Sequence, residues 1–183
     1  MTRKTITAEE LLERYAAGER DFSNIQEIKF EICRQALCQM NLSGINLSGL
    51  VLEELPLDQI NFTKAILRET NFFESGLDEA IFREADLTKA SLFFADLDGA
   101  DLSYAKLIEA NLGGASMIGA NLTGADLTRA DLAGTYLDKA NLTDAKLFEA
   151  LVGDAEAGFA YLETAIFCNT TMPDGSIRTD IQS

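Results

Sequence analysis

The sequence predicts an all-β fold in which the chain is wound into stacked square coils, with a short α-helix at the amino-terminal end. The main observation is an apolar residue at every fifth position from Leu37 to Phe167. A period of five fits neither the 3.6 residues of a helical turn nor the two-residue alternation of a flat strand. A chain that turns a corner every five residues keeps these side chains inside, and four such turns make a coil of twenty residues.

Each five-residue repeat has the same internal order. Its central residue is Leu in twenty of twenty-seven repeats, and the residue two positions earlier is Ala in eighteen of them. The other positions are mostly polar, as in Ala100-Asp101-Leu102 and Ala140-Asn141-Leu142. We therefore expect Ala and Leu to point into a narrow core and the polar positions to form the outer faces.

The charged residues support a coil of twenty residues, because side chains twenty apart would then lie in one column, about 4.8 Å from each other. One such column alternates in sign throughout and contains Glu69, Lys89, Glu109, Arg129 and Glu149. A second alternating column on the same face contains Asp86, Lys106, Asp126 and Lys146. Alternation avoids stacked like charges and therefore favours four repeats per coil.

A stack of coils has two open ends, which need covers because they expose apolar core and unpaired strand edges. At the amino-terminal end, Thr7 and Glu10 form a capping box, and apolar residues recur at helical spacing until Gly18. This pattern predicts a helix from about Ala8 to Ala17, and the alternation that follows predicts a short strand at about 28–32.

The chain accordingly divides into three predicted parts. An amino-terminal cap occupies 1–34, the repeats occupy 35–169, and a turn and tail occupy 170–183. The tail is expected either to cover the far end of the stack or to pair with another subunit.

The repeat resembles the pentapeptide-repeat family, whose pattern A-(D/N)-L-x-x recurs as Ala85-Asp86-Leu87 and Ala125-Asp126-Leu127. The resemblance implies a right-handed quadrilateral β-helix of about seven coils for the twenty-seven repeats. The segment from Thr171 to Ile177 also looks like the tail of cyanobacterial members. Some members mimic DNA and occupy the DNA-binding saddle of type II topoisomerases, and these are generally dimers joined through their carboxy-terminal ends.

Composition disfavours several classes of function. Fifteen Lys and Arg face thirty Asp and Glu, giving a formal net charge of −15, which disfavours direct binding to nucleic acid or to an anionic membrane. The sequence has no His, no Gly-rich phosphate loop and no nucleophile–base pair, so we expect no enzyme, no cofactor and no metal site.

Without an apolar run of signal-peptide or membrane-span length, a cytoplasmic location is expected. Three cysteines are expected as free thiols, namely Cys33, Cys38 and Cys168.

Two neighbouring faces are expected to carry most of the negative charge. The first of them includes Asp58, Asp78, Glu79, Asp96 and Asp98. One interpretation is a solvated acidic surface that keeps a rod soluble. The other is a surface with a charge density close to that of duplex DNA.

Aromatic side chains mark the second acidic face, where Phe73, Phe93 and Phe94 are predicted to point outward beside a flat strip of Gly and Ala. Exposed aromatic clusters supply binding hot spots, although rings in one column also stabilise a rod by stacking. The candidate interaction surface therefore consists of Phe73, Phe93, Phe94, Asp78, Glu79, Asp96 and Asp98.

We therefore expect a non-catalytic rod, a monomer or an end-to-end dimer, that presents flat faces to a protein partner. The alternative is a DNA-mimicking binder of type II topoisomerase, which the family resemblance implies.

Overall fold

The structure is a computed structural model, and it describes residues 5–25, 27–29, 37–154, 158–159 and 164–180. The helix and strands of this part of the chain are β1 (Thr5–Thr7), α1 (Ala8–Ala16), β2 (Glu27–Lys29), β3 (Gly153–Asp154), β4 (Gly158–Phe159), β5 (Thr170–Thr171) and β6 (Ile177–Arg178).

From Asn41 to Leu151 the chain is wound into coils of twenty residues. Parallel bridges join the residue before each central position to the residue twenty further along, as in Asp101 to Asn121. The amide of Leu102 donates to the Asn121 carbonyl at 2.8 Å, and the Asn121 amide donates to the Ala100 carbonyl at 2.9 Å. The backbone of each coil is thereby paired with the coils on either side.

Four rows of bridges run along the stack. We call each row a face, and a face includes the bridged residues together with the two residues that follow each central position. Face A contains Gly76 and Asp96, face B Ile81 and Asp101, face C Asp86 and Lys106, and face D Ser91 and Asn111. The faces follow one another around the coil in the order A, B, C, D.

The core consists of the central residues and the small residues two positions before them. Every central residue from Leu37 to Leu147 is buried, so this prediction is confirmed. Where a hydroxyl replaces Ala, it is satisfied: Thr70 donates to the Leu47 carbonyl at 3.0 Å, and Ser75 donates to the Leu52 carbonyl at 2.6 Å. The core therefore tolerates these polar groups without a lost hydrogen bond.

The preference for Asp or Asn before the central residue has a local cause. In Asn121 and Asp126 the side-chain oxygen accepts from the amide two residues ahead, at 3.2 and 3.1 Å. Such Asx turns fix the corner. The residue that follows in each corner adopts a left-handed conformation, as in Glu69 with φ 57° and Gly119 with φ 69°.

Helix α1 covers the amino-terminal end. The Thr7 side chain accepts from the Glu10 amide at 3.1 Å, as the capping box predicts, and Leu11 is fully buried against the first coil. Strand β1 pairs in parallel with β2. The predicted strand at 28–32 is observed in part as β2, and residues 30–32 lie outside the described residues.

Coil pairing begins before the predicted boundary at residue 35, because a parallel bridge joins Asp21 to Asn46. This bridge spans twenty-five residues rather than twenty. The spacing of this bridge is therefore five residues longer than that of the regular coils.

The prediction of unbroken twenty-residue spacing through Phe167 is wrong after Leu151. Strands β3 and β4 pair antiparallel in a hairpin, and the next bridges, such as Asn141 to Ile166, span twenty-five residues. Pairing then continues past the predicted end at 169, because the Glu149 amide donates to the Pro173 carbonyl at 2.9 Å.

The tail lies over the last coil, as one of the two predicted arrangements has it. Strands β5 and β6 form a hairpin, the Arg178 guanidinium lies 3.8 Å from the centre of the Phe167 ring, and the Asp180 amide donates to the Phe167 carbonyl at 2.9 Å. In the described part of the chain, no helix is long and apolar enough to span a membrane. Cys38 and Cys168 form no disulfide, and Cys33 lies outside the described residues.

Candidate interaction faces

The three phenylalanines of face D form a ladder of rings. The Phe73 and Phe93 rings are stacked with their centroids 6.2 Å apart, and the Phe93 and Phe94 rings are 4.3 Å apart. Phe73 and Phe93 are half-buried, whereas Phe94 is 54% exposed. The structure thus brings the predicted aromatic residues together and leaves one ring largely open.

The glycines that follow on face D lie directly beneath these rings, so they do not form a bare strip. A Cβ atom built on Gly113 would lie 3.0 Å from Phe93 Cε2, and one on Gly114 would lie 2.3 Å from Phe94 Cε1. The predicted flat strip is therefore partly covered, because each ring leans onto the glycine twenty residues ahead. Phe94 itself has φ 56°, a conformation that disfavours bulky residues.

Between successive coils, a recurrent contact joins side chains eighteen residues apart. The residue after a central position leans across to the residue before the next central position on the same face. Arg68 Nε donates to Asp86 Oδ2 at 2.8 Å, and Arg83 Nη2 donates to Asp101 Oδ2 at 2.6 Å. On faces B and C this step therefore pairs a base with an acid.

On face A the same step places the carboxyl group of Asp78 against that of Asp96. Burial raises the pKa of Asp78 to about 6, together with a side-chain hydrogen bond to Asp96 and the negative charges of Asp96, Asp58 and Asp98. Oδ1 of Asp78 is buried and has no hydrogen-bond partner among the described residues. Two acids thus meet where faces B and C have an ion pair.

The neighbouring acids of face A are held in place. Asp98 Oδ1 accepts from Ser116 Oγ at 2.6 Å and from the Ile118 amide at 2.8 Å. Asp58 Oδ1 lies 3.0 Å from the position that a Cβ on Gly76 would occupy. Glu79, at the corner, accepts from Gln59 Nε2 at 3.0 Å.

On faces B and C, side chains of opposite charge pair along the columns, so that the paired charges balance. The predicted alternating column contains ion pairs between Lys89 and Glu109 at 3.6 Å and between Arg129 and Glu149 at 2.6 Å. Between residues 51 and 99, all of which are described, the bases are Lys64, Arg68, Arg83 and Lys89, and all lie on faces B and C. In that range the acids of faces A and D have no base on their own face.

The predicted site residues lie on both sides of the corner between faces D and A. Phe94 ends the face D turn, and Asp96 begins the next stretch of face A. We name this ridge the D/A corner and define it by Phe73, Phe93, Phe94, Asp78 and Asp96. No group of three potential ligands is arranged to hold a metal ion within the described residues.

The sequence analysis did not identify Tyr104 of face B as an exposed aromatic residue. Its ring is 62% exposed, and a Cβ on Gly124 would lie 2.6 Å from its Cδ1 atom. The signal was present in the sequence, because an aromatic residue is followed by Gly twenty residues later, as with Phe94 and Gly114. Tyr104 stands apart from the D/A corner and serves as a natural comparison for it.

Several solved structures match this chain. The pentapeptide repeat protein Rfr23 from the cyanobacterium Cyanothece 51142 is 28% identical, with a TM-score of 0.59, over 62% of this chain and 91% of that one. HetL from the cyanobacterium Nostoc sp. strain PCC 7120, a pentapeptide repeat protein involved in heterocyst differentiation regulation, is 26% identical over 94% of this chain and 99% of its own, with a TM-score of 0.37. QnrB1, a plasmid-mediated fluoroquinolone resistance protein, is 15% identical over 74% of this chain and 78% of its own, with a TM-score of 0.35.

No functionally curated protein matches the chain. The family model for pentapeptide repeats matches in eight copies, over residues 57–93, 65–103, 95–132, 105–144 and 125–150. These matches span more than half of the sequence and coincide with the coils of twenty residues. The chain therefore belongs to the pentapeptide-repeat family, whose members fold as right-handed β-helices.

Proposed function

We propose that the protein is a non-catalytic, four-sided, right-handed rod of about seven coils that docks a protein partner through the D/A corner. The partner carries a basic patch, and the interaction takes place in the cytoplasm without direct contact with nucleic acid or membrane. The observation that carries the proposal is the exposed Phe94 ring beside carboxylates that have no base on their own face between residues 51 and 99.

The chemistry of the D/A corner favours such a partner. Unpaired carboxylates on one surface attract Lys and Arg and accelerate encounter. An exposed ring that leans on the backbone of the next coil offers apolar contact, and an aromatic ring also attracts a guanidinium group. Because the backbone beneath is paired coil to coil, little additional order has to be gained on binding.

The experiment compares two aromatic side chains in the same kind of corner. Phe94 and Tyr104 have φ angles of 56° and 59°, and each ring leans on a glycine twenty residues ahead. Partners captured by the purified protein are first identified, and their affinity is then measured with Phe94→Ser and with the matched control Tyr104→Ser. We expect at least about a tenfold loss for Phe94→Ser and little change for Tyr104→Ser. Equal affinities for the two variants would contradict docking at the D/A corner.

Charge supplies the second test of the same proposal. Asp96→Asn with Asp98→Asn should weaken binding and reduce its salt dependence, because attraction between exposed charges is screened by salt. The control is Glu109→Gln with Glu149→Gln on the paired column of face C. A partner whose affinity depends equally on both pairs would be bound by overall charge rather than by face A.

The alternative function is a DNA-mimicking inhibitor of a type II topoisomerase. The row of Asp58, Asp78 and Asp98 favours it, because these carboxyl groups recur once per coil along one face. The position of the tail over Phe167 argues against the carboxy-terminal dimer that such members generally form. A supercoiling assay with DNA gyrase decides: inhibition that weakens with Asp96→Asn and Asp98→Asn supports mimicry, and the absence of inhibition at micromolar protein excludes it.

A further inference from the structure

The contact between Asp78 and Asp96 is an exception within its own fold. At the equivalent step Asp86 accepts from Arg68, and its Oδ1 also accepts from the Thr88 amide two residues ahead at 3.2 Å. Asp96 occupies the Asx-turn position of face A, yet among the described hydrogen bonds its side chain accepts none from the residue two ahead. Its carboxyl group faces Asp78 instead.

Two carboxyl groups in contact cannot both be ionised without strong repulsion. A hydrogen bond between them requires that one carries a proton, because an ionised carboxylate only accepts. The buried Oδ1 of Asp78, which has no partner among the described residues, makes full ionisation more costly still.

We propose that Asp78 and Asp96 hold one proton between them and release it as the pH rises, so that the charge of face A changes with pH. If the protein docks a basic partner as proposed above, this docking strengthens as the proton leaves. The consequence for docking rests on the proposed function, whereas the shared proton does not.

Among the described residues, the charged groups that act on Asp78 are acids. Asp58 faces it from the preceding coil, and Asp96 and Asp98 face it from the following coil. Asp98 is engaged by Ser116 and the Ile118 amide, and Glu79 on the same turn is engaged by Gln59. Burial and these charges favour the protonated form, and accordingly the pKa of Asp78 is raised to about 6.

Titration of the Asp side-chain carbons by NMR tests the shared proton directly. In the wild-type protein we expect the Asp78 Cγ resonance to titrate with a midpoint at about 6, and in Asp96→Asn with a midpoint closer to the ordinary 3.8. Asp86, in the Arg68→Gln variant and in the wild type, serves as the control for an acid whose partner is a base. A wild-type midpoint near 3.8 for Asp78, or one unmoved in Asp96→Asn, would overturn the shared proton.

The effect on docking is measured with an oligo-arginine peptide as the probe. We expect the wild-type protein to bind it at least about twofold more weakly at about pH 5 than at about pH 7.5, and Asp78→Asn to lose most of this difference. An affinity that is unchanged between the two pH values in the wild type, while Phe94→Ser still weakens binding, would overturn pH control and leave the docking proposal standing. If instead Phe94→Ser and Asp96→Asn with Asp98→Asn all bind the peptide as the wild type does, docking at the D/A corner fails, and the NMR result still decides the shared proton.

Discussion

Faces A and C use the same step of eighteen residues for opposite chemistry. On face C, Arg68 donates to Asp86 at 2.8 Å, whereas on face A the step brings Asp78 against Asp96. The backbone pairing is the same beneath both, with Leu87 donating to the Lys106 carbonyl at 2.8 Å and Leu97 to the Ser116 carbonyl at 2.7 Å. The coil is thus fixed by its core and backbone, and its outer positions can carry either kind of contact.

The comparison also shows where stability is given up. Exposed ion pairs such as those on face C stabilise proteins by at most about 1 kcal/mol each. An acid pair has the opposite sign, because each charge raises the energy of the other. The fold needs neither contact, because the backbone pairing is the same beneath both faces.

The largest expected effect is the loss of stability when a core leucine is replaced, and it should be equal beneath the two faces. Leu97 lies beneath face A and Leu87 beneath face C, and both are fully buried. Replacing either by Ala should lower the free energy of unfolding by about 2–5 kcal/mol, through lost burial and the cavity left behind. Urea denaturation of the two variants measures this loss. A much smaller loss for Leu97→Ala than for Leu87→Ala would mean that the core beneath face A is not equivalent to that beneath face C.

A smaller effect on stability is expected where the Phe94 ring lies on a glycine at the D/A corner. Gly114 and Gly119 have φ angles of 66° and 69°, and a Cβ would meet the Phe94 ring at Gly114 but open space at Gly119. Ala at either position should cost about 1–2 kcal/mol because of the left-handed backbone. Gly114→Ala should cost about 1 kcal/mol more, because the ring has to move.

Thermal and urea unfolding measure both glycine variants. Repeating them in a Phe94→Ser background provides the control, because the extra cost of Gly114→Ala should then disappear. An extra cost that persists without the ring would show that Phe94 is not seated on Gly114.

Much of this architecture could be predicted from the sequence because each repeat buries its own Leu and pairs with its neighbours. The inserted hairpin at β3 and β4 could not be predicted, because five additional residues leave a period of five unbroken. Val152 and Phe167 therefore stay in phase in the sequence while the bridges between Asn141 and Ile166 span twenty-five residues.

The contact between the two acids on face A could not be predicted from the sequence for a related reason. Side chains twenty residues apart share a column, and that spacing predicted the ion pairs of Lys89 with Glu109 and Arg129 with Glu149. The contact of Asp78 with Asp96 depends on which way a side chain leans across the gap between coils. A repeat of five residues does not encode that direction.

The smallest effect is a difference in how stability depends on pH. The pKa of Asp78 is raised from 3.8 to about 6, so its contribution to stability is fully present below about pH 3.8 and is lost as the pH rises through about 6. Asp86 behaves in the opposite way: burial opposes the effect, but hydrogen bonds from Arg68 and Thr88 and the charge of Arg68 lower its pKa. Its contribution is therefore present above about pH 3.8 and is lost as the pH falls through its lowered pKa.

Asp78→Asn should consequently be more stable than the wild type at about pH 7, by about 1 kcal/mol once solvent screening is allowed for, and the gain should vanish toward about pH 4. Asp86→Asn should be less stable at about pH 7, with a deficit that shrinks only in stronger acid. Urea midpoints across this pH range measure both differences in one series. If the two variants change stability in the same direction at about pH 7, the contrast between an acid pair on face A and an ion pair on face C is wrong, because like and unlike charges at the same step must differ in sign.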